Sequence, residues 1–191
     1  MTARFPGLVV ADWRTRLVHD HRRLFPNARV HEASAGPALA SVGWPNVPDG
    51  WRDLVETACR RLESAVAAEP DAELVVLDMK EKYGGLRLDI GAMNLGDEAR
   101  DAVRLAVDLA EARSTHVCDV CGRLGRLWER GGWYATRCEE HSEGHEPVRS
   151  RYRDIELSVR IVDGKVVRTA RRYVVETDTF EPFPLPIDEE E

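Results

Sequence analysis

No stretch of the 191-residue chain approaches eighteen apolar residues in a row, which excludes a membrane-spanning helix. The opening MTARFPGLVVADWRTR has one arginine and a short apolar run before Asp12 and Arg14 interrupt it. That is not the plan of a secretory signal, so a reducing cytoplasm is the expected compartment. Charge of one sign does not dominate either. The net charge of −7 divides into 14 basic and 18 acidic groups over residues 1–112, then 13 and 9 over 113–172. The last 19 residues carry 7 acidic groups and no Lys or Arg. A basic excess of this size is far below the footprint of a dedicated nucleic-acid binder. Also missing are the P-loop spacing, a Ser-His-Asp set, a recognisable pair of catalytic carboxylates, an H-E-x-x-H helix and any internal repeat. An enzyme is therefore disfavoured.

What is present reads as one small α+β body with annexes. Asp12 stands as a candidate N-cap of a helix reaching about Phe25, with Trp13, Leu17 and Leu24 on one side and Pro26 as its stop. Ala33 to Pro48 reads as a loop, so residues 1–43 form an N-terminal helix and loop. From Asp49 or Gly50, Trp51, Leu54, Val55, Ala58, Leu62, Ala65 and Val66 recur at helical spacing until Pro70. Cys59 lies beside that stripe and reads as a core residue. Val75, Leu77 and Met79, then Leu86, Leu88 and Ile90, alternate on either side of Gly84-Gly85, the pattern of a β-hairpin with one buried face. Helical period returns from Asp97 to about Arg113, with Ala102, Val103, Ala106, Leu109 and Ala110 inward. These helices and this hairpin make an α/β core over 44–113. A finger-like segment at 114–148 follows, then a C-terminal hairpin at 149–176 with its turn at Asp163-Gly164. The acidic, proline-rich tail 177–191 is expected to stay unpacked.

Three of the four cysteines fall in THVCDVCGRLGRLWERGGWYATRCEEH, residues 115–141. Cys118 and Cys121 form C-x2-C followed at once by Gly122, a spacing that lets two thiolates grip one ion from a tight turn. Cys138 and His141 form C-x2-H, and between the pairs Gly125–Trp128 and Trp133–Arg137 can pair as strands around Glu129–Gly132. Knuckle, hairpin, then cysteine and histidine on a following helical turn is the outline of a treble-clef zinc finger. Three sulfurs and one imidazole close a tetrahedron, so the expected cofactor is a structural Zn2+. His145 is the alternative fourth ligand, whereas His116 is too near Cys118 to bind comfortably. A thioredoxin-type pair would need the helix after the cysteines, not before them. A zinc deaminase would need the H-x-E of His141–Glu143 ahead of the cysteine pair. Trp128, Trp133 and Tyr134 are expected to pack the small hairpin against the body.

Candidate binding residues lie around this segment and around KEKYGGLR. Arg123, Arg126, Arg130 and Arg137 beside the tryptophans offer a surface for stacking and charge, with Arg123, Arg126, Arg130 and Trp133 as the candidates there. Lys80, Lys82, Tyr83 and Arg87 flank the Gly84-Gly85 turn. They suit either plain solvation or contact with an anion or partner, and Asp78 and Glu81 weaken an anion preference.

The run VVLDMKEKYGGLRLDI, the helix ending in AEARSTHVCDVCG, and GGWYATRCEEH together resemble a family of small proteins common in bacteria and their phages. Its members carry K-E-K-[FY]-G-G-L-R, an acidic helix, C-x2-C-G and W-x4-C-x2-H or C-x2-C. The resemblance covers about residues 44–142. It implies the zinc site and the unity of that span, and it implies no reaction. The expected function is a non-catalytic, zinc-stabilised binding, adaptor or inhibitor protein with a protein partner, basic to suit the acidic body. The alternative is a nucleic-acid-associated protein using the basic 113–172 region, with Arg149, Arg151, Arg153, Arg160, Lys165, Arg168, Arg171 and Arg172 along the C-terminal hairpin.

Overall fold

The computed structural model describes residues 12–28, 41–149, 154–162 and 164–184. Among them the chain is mixed α+β, with three α-helices and three small antiparallel sheets. No described helix is long and apolar enough to cross a membrane.

The core forms where α2 (Arg52–Ala65) and α3 (Asp97–Ser114) lie against the hairpin of β1 (Glu73–Lys82) and β2 (Gly85–Met93). The expected stripe is buried at Trp51, in the 3-10 turn that leads into α2, and at Leu54, Val55, Ala58 and Leu62 on the helix, and Cys59 lies in the core with them. The inward set on α3 is Ala99, Val103, Ala106, Leu109, Ala110 and Ser114, with Ala102 only half-buried. Helix α1 is shorter than its periodicity suggests, Trp13–Asp20, and turns carry the chain on to the buried Leu24 and Phe25. Asp12 precedes it but makes no side-chain cap. Instead, Trp13 Nε1 donates to Asp49 Oδ1 at 2.8 Å, pinning α1 to the start of α2.

The β1 strand departs from strict alternation. Leu74, Val76 and Met79 are buried, whereas Leu77 is 48% exposed and Val75 half-buried, so of the expected inward row Val75, Leu77 and Met79 only Met79 is buried. The reason is a register shift between Val76 and Asp78, which moves the buried phase by one residue. The backbone around the bulge is occupied on its other side: Val76 N–H donates to Leu24 O at 2.8 Å and Gly43 N–H to Leu77 O at 3.1 Å. Segment 43–47 continues along β1, with Asn46 N–H donating to Met79 O at 3.0 Å. Lys82 pairs with Gly85, so the turn residues are Tyr83 and Gly84 (φ 54° and 76°), not Gly84-Gly85.

Beyond α3, β3 (Arg126–Arg130), β4 (Trp133–Arg137) and the short β5 (Glu146–Pro147) form the second sheet, in order β4-β3-β5. The third sheet, order β6-β7-β8, joins β6 (Ile155–Val162), β7 (Lys165–Val174) and β8 (Thr179–Phe183). The last strand corrects the expectation of an unpacked tail over 177–191. Asp178 accepts from Tyr173 Oη at 2.8 Å and from Arg61 Nη2 at 2.9 Å. Phe180 meets the Tyr173 ring edge-on at 5.7 Å, and the Arg172 guanidinium lies over Phe183. One carboxylate and two aromatics therefore outweigh the prolines as far as Pro184. Residues 185–191, Arg151, Arg153 and Asp163 of the expected hairpin turn, and residues 33–40 of the expected 33–48 loop, lie outside the described residues.

Candidate metal centre

Cys118, Cys121, Cys138 and His141 come together at the far end of α3, their ligand atoms all within 4.8 Å of one another. Cys121 Sγ and Cys138 Sγ are 3.8 Å apart, and His141 Nδ1 lies 3.4 Å from Cys118 Sγ and 3.3 Å from Cys138 Sγ. The thiols are free, and a sulfur separation this large is no disulfide. Four such donors aimed at one point can hold a metal ion.

The knuckle is built by backbone bonds. Cys118 N–H donates to Arg123 O at 2.7 Å and Gly122 N–H to Cys118 O at 3.0 Å, with Gly122 at φ 76°. The C-x2-H half is a single 3-10 turn, Glu139–His141, rather than a turn of α-helix. Burial raises the pKa of the Cys118 thiol. At Cys121 the Arg123 guanidinium acts the other way: its Nε lies 3.4 Å from the sulfur, and the thiol is pushed down to about 6. Arg123 also reaches Cys138 Sγ at 3.8 Å while its other nitrogen holds Glu140 at 2.9 Å.

This placement revises the sequence reading of the arginines. Arg123, expected to face a partner, supports two thiolates, and Arg126 is tied to Glu139 at 2.6 Å. Arg137 lies 3.3 Å from Asp119, whose carboxyl pKa is raised by burial and partly restored by that guanidinium. His145 is not in the cluster; its Nδ1 faces Glu143 O at 2.8 Å and Ser142 O at 3.1 Å. His116 lies against Tyr173, ring centroids 5.5 Å apart, with Nε2 3.0 Å from Asp154 Oδ1, and so joins the finger to the C-terminal sheet.

Two docking points set the finger on the body, and sequence reasoning overlooked both. At the first, Gly50 N–H donates to Asp119 O at 2.9 Å, and fully buried Trp51 donates from Nε1 to Val117 O at 3.0 Å. A Cβ on Gly50 would sit 2.2 Å from Cys118 O, so the knuckle reaches the N-terminus of α2 only because residue 50 has no side chain. At the second, buried Thr136 Oγ1 donates to Gly84 O at 2.6 Å, while a Cβ on Gly84 would strike Leu127 at 2.5 Å. The glycines of GWPNVPDGW and KEKYGGLR were the available signal. Each reads as a turn residue until the finger is folded against it.

Trp128 is buried and donates from Nε1 to Arg137 O at 2.8 Å, as expected of a packing residue. Trp133 and Tyr134 differ from that expectation: Trp133 is 81% exposed and Tyr134 is exposed too. They fall at the end of β4 beyond the docked edge, where they line a cavity of about 720 Å³ with Asn46, Lys80, Glu81, Asp119, Arg137 and His145. Lys80 there pairs with Asp78. The turn's Tyr83 is 70% exposed, and the Lys82 ammonium lies over its ring. Arg87 belongs elsewhere, 3.2 Å from Glu111 on α3. Arg130 sits at the end of β3, opposite Trp133. The chain matches no family model, no curated protein and no solved structure.

Proposed function

We propose that this protein is a non-catalytic binding protein, an adaptor or inhibitor, whose treble-clef-like finger is held by a structural Zn2+. Its place among the small bacterial and phage proteins it resembles is part of the same reading. Zinc is favoured over other ions by the donor set and the spacing. Zn–S bonds of about 2.3 Å in a tetrahedron put sulfurs about 3.8 Å apart and sulfur and imidazole nitrogen about 3.5 Å apart. Cys121 and Cys138 sulfurs lie 3.8 Å apart, His141 Nδ1 lies 3.3 and 3.4 Å from the sulfurs of Cys138 and Cys118, and all four donors lie within 4.8 Å of one another. Three thiolates and an imidazole fill that tetrahedron and leave no position for a substrate, which is why the metal's role is read as structural.

The observation that carries the binding function is Trp133. A tryptophan 81% exposed at the mouth of a cavity shared by the finger and the KEKYGG turn contributes nothing to packing. Exposed aromatics rimmed by polar groups are what protein interfaces bury at their centres. A protein partner suits this surface better than phosphodiester. Arg123, Arg126 and Arg137 are already matched to Glu140, Glu139 and Asp119, and Lys80 to Asp78. The acidic excess over residues 1–112 favours a basic partner.

The test compares the wild type with Trp133→Ala as bait in the native host's lysate, reading protein and nucleic acid together. The reading expects a protein captured by the wild type and lost with Trp133→Ala, at unchanged melting temperature. Equal capture by both baits, or salt-sensitive recovery of nucleic acid alone, refutes it. Elemental analysis tests the metal, with one zinc per chain expected.

A further inference from the structure

The C-terminal sheet ends on β6, which pairs with β7 on one side and with no strand on the other among the described residues. Native sheets blunt such an edge with bulges, prolines or a cover. Among the described residues neither a bulge nor a proline interrupts β6, whose register against β7 runs unbroken from Ile155↔Arg172 to Val162↔Lys165. The strand also displays Leu157, Val159 and Ile161 in one row, at 71%, 64% and 75% exposure. An eight-residue edge of this kind is a template for another strand.

The sequence of the edge says which strand. Residues 155–161 read Ile-Glu-Leu-Ser-Val-Arg-Ile, which has the same character in either direction about Ser158. Two copies paired antiparallel about a two-fold axis at Ser158 set Leu157 opposite Val159 of the second copy, and Ile155 opposite Ile161. The same register sets Glu156 opposite Arg160. Opposite residues of an antiparallel pair share a face, so on one side apolar meets apolar. Glu156 is already steadied in that row by Arg171, whose Nε donates to Oε2 at 2.7 Å. A one-residue slip would destroy every one of these matches.

We propose that this chain forms a two-fold homodimer through antiparallel pairing of β6 with β6 of a second copy, making one six-stranded sheet from two sheets of three. The outward backbone groups of each edge gain partners. The apolar rows of the two copies become neighbours rather than separate exposed stripes. This interface is independent of the metal centre and of the Trp133 cavity.

Sedimentation equilibrium of the full, metal-loaded chain across the micromolar range should give twice the 21.5 kDa chain mass. Val159→Glu places a carboxylate against Leu157 of the second copy, yet within its own hairpin it faces Arg168, so the fold should persist. It should weaken dimerisation at least ~10-fold with an unchanged circular dichroism spectrum. Ser158→Cys should cross-link to itself under mild oxidation, since opposite residues of an antiparallel pair lie within disulfide reach. Leu157→Cys, facing Val159, should not. A wild-type monomer overturns the proposal, as does a dimer indifferent to Val159→Glu or a cross-link at Leu157→Cys but not at Ser158→Cys. A monomer that dimerises only after removal of residues 1–11 would assign the edge to that segment and equally overturn it.

Discussion

Gly50→Ala adds one methyl group at the place where the knuckle meets α2. Its carbon would lie 2.2 Å from Cys118 O and 2.7 Å from the carbonyl carbon and oxygen of Asp119. All three are backbone atoms, so no side chain can swing away, and the knuckle itself must retreat. Retreat stretches the bond from Gly50 N–H to Asp119 O, now 2.9 Å. Overpacking of this kind costs about 1–3 kcal/mol and the lost hydrogen bond about 1 more, together about 2–4 kcal/mol. A structural ion contributes on the order of 10 kcal/mol to the folding of the segment that holds it, far more than the few docking hydrogen bonds, so the clash weighs mainly on the loaded state. At 1.4 kcal/mol per tenfold, zinc affinity should fall by about 30- to 700-fold. Competition with a chromophoric chelator at neutral pH measures it. Gly91→Ala is the control, since its added carbon meets only the flexible Leu77 side chain at 3.4 Å. Zinc bound by Gly50→Ala as tightly as by the wild type would refute the close approach of knuckle and helix.

Trp51→Phe keeps most of the buried ring but leaves Val117 O without its donor. It should cost about 1–3 kcal/mol in urea unfolding, together with accelerated amide exchange around residues 117–125. Arg123→Gln removes the guanidinium from beside Cys121 and Cys138, and zinc affinity should drop about 10-fold or more. In the metal-free protein the Cys121 thiol should then titrate well above the value of about 6 that Arg123 imposes, as seen by ultraviolet thiolate absorbance. Trp13 and Arg14 hold the Asp49 carboxyl below its ordinary value. A depressed carboxylate stabilises the fold above its unfolded pKa of about 3.9 and loses that contribution as pH falls through the lower folded value. Helix α1 should therefore keep its exchange protection in mild acid, after protonation of the thiolates has released the metal, and loosen only below that range.

The sequence by itself determined the elements with a clean period and the four side chains that could hold a metal ion. A helical stripe such as Trp51–Leu62 needs only its own spacing to be recognised, because one face must be buried wherever the helix ends up. The donor set Cys118, Cys121, Cys138 and His141 was legible for a similar reason: ligand spacing within a knuckle is a local constraint, and those four side chains lie together. Tertiary structure decided what depends on a neighbour distant in sequence. The β1 bulge follows from backbone partners at Leu24 and Gly43, which no alternation of Val75, Leu77 and Met79 can announce. Arg123 became a support for thiolates because Glu140 and two sulfurs surround it, and Phe180 became part of a strand because Tyr173 receives it. Trp128 and Trp133, five residues apart in one small hairpin, took opposite fates, since only the edge near Arg137 is docked. Hydrophobicity is a property of a residue, but burial belongs to the surface brought against it, and that surface comes from elsewhere in the chain.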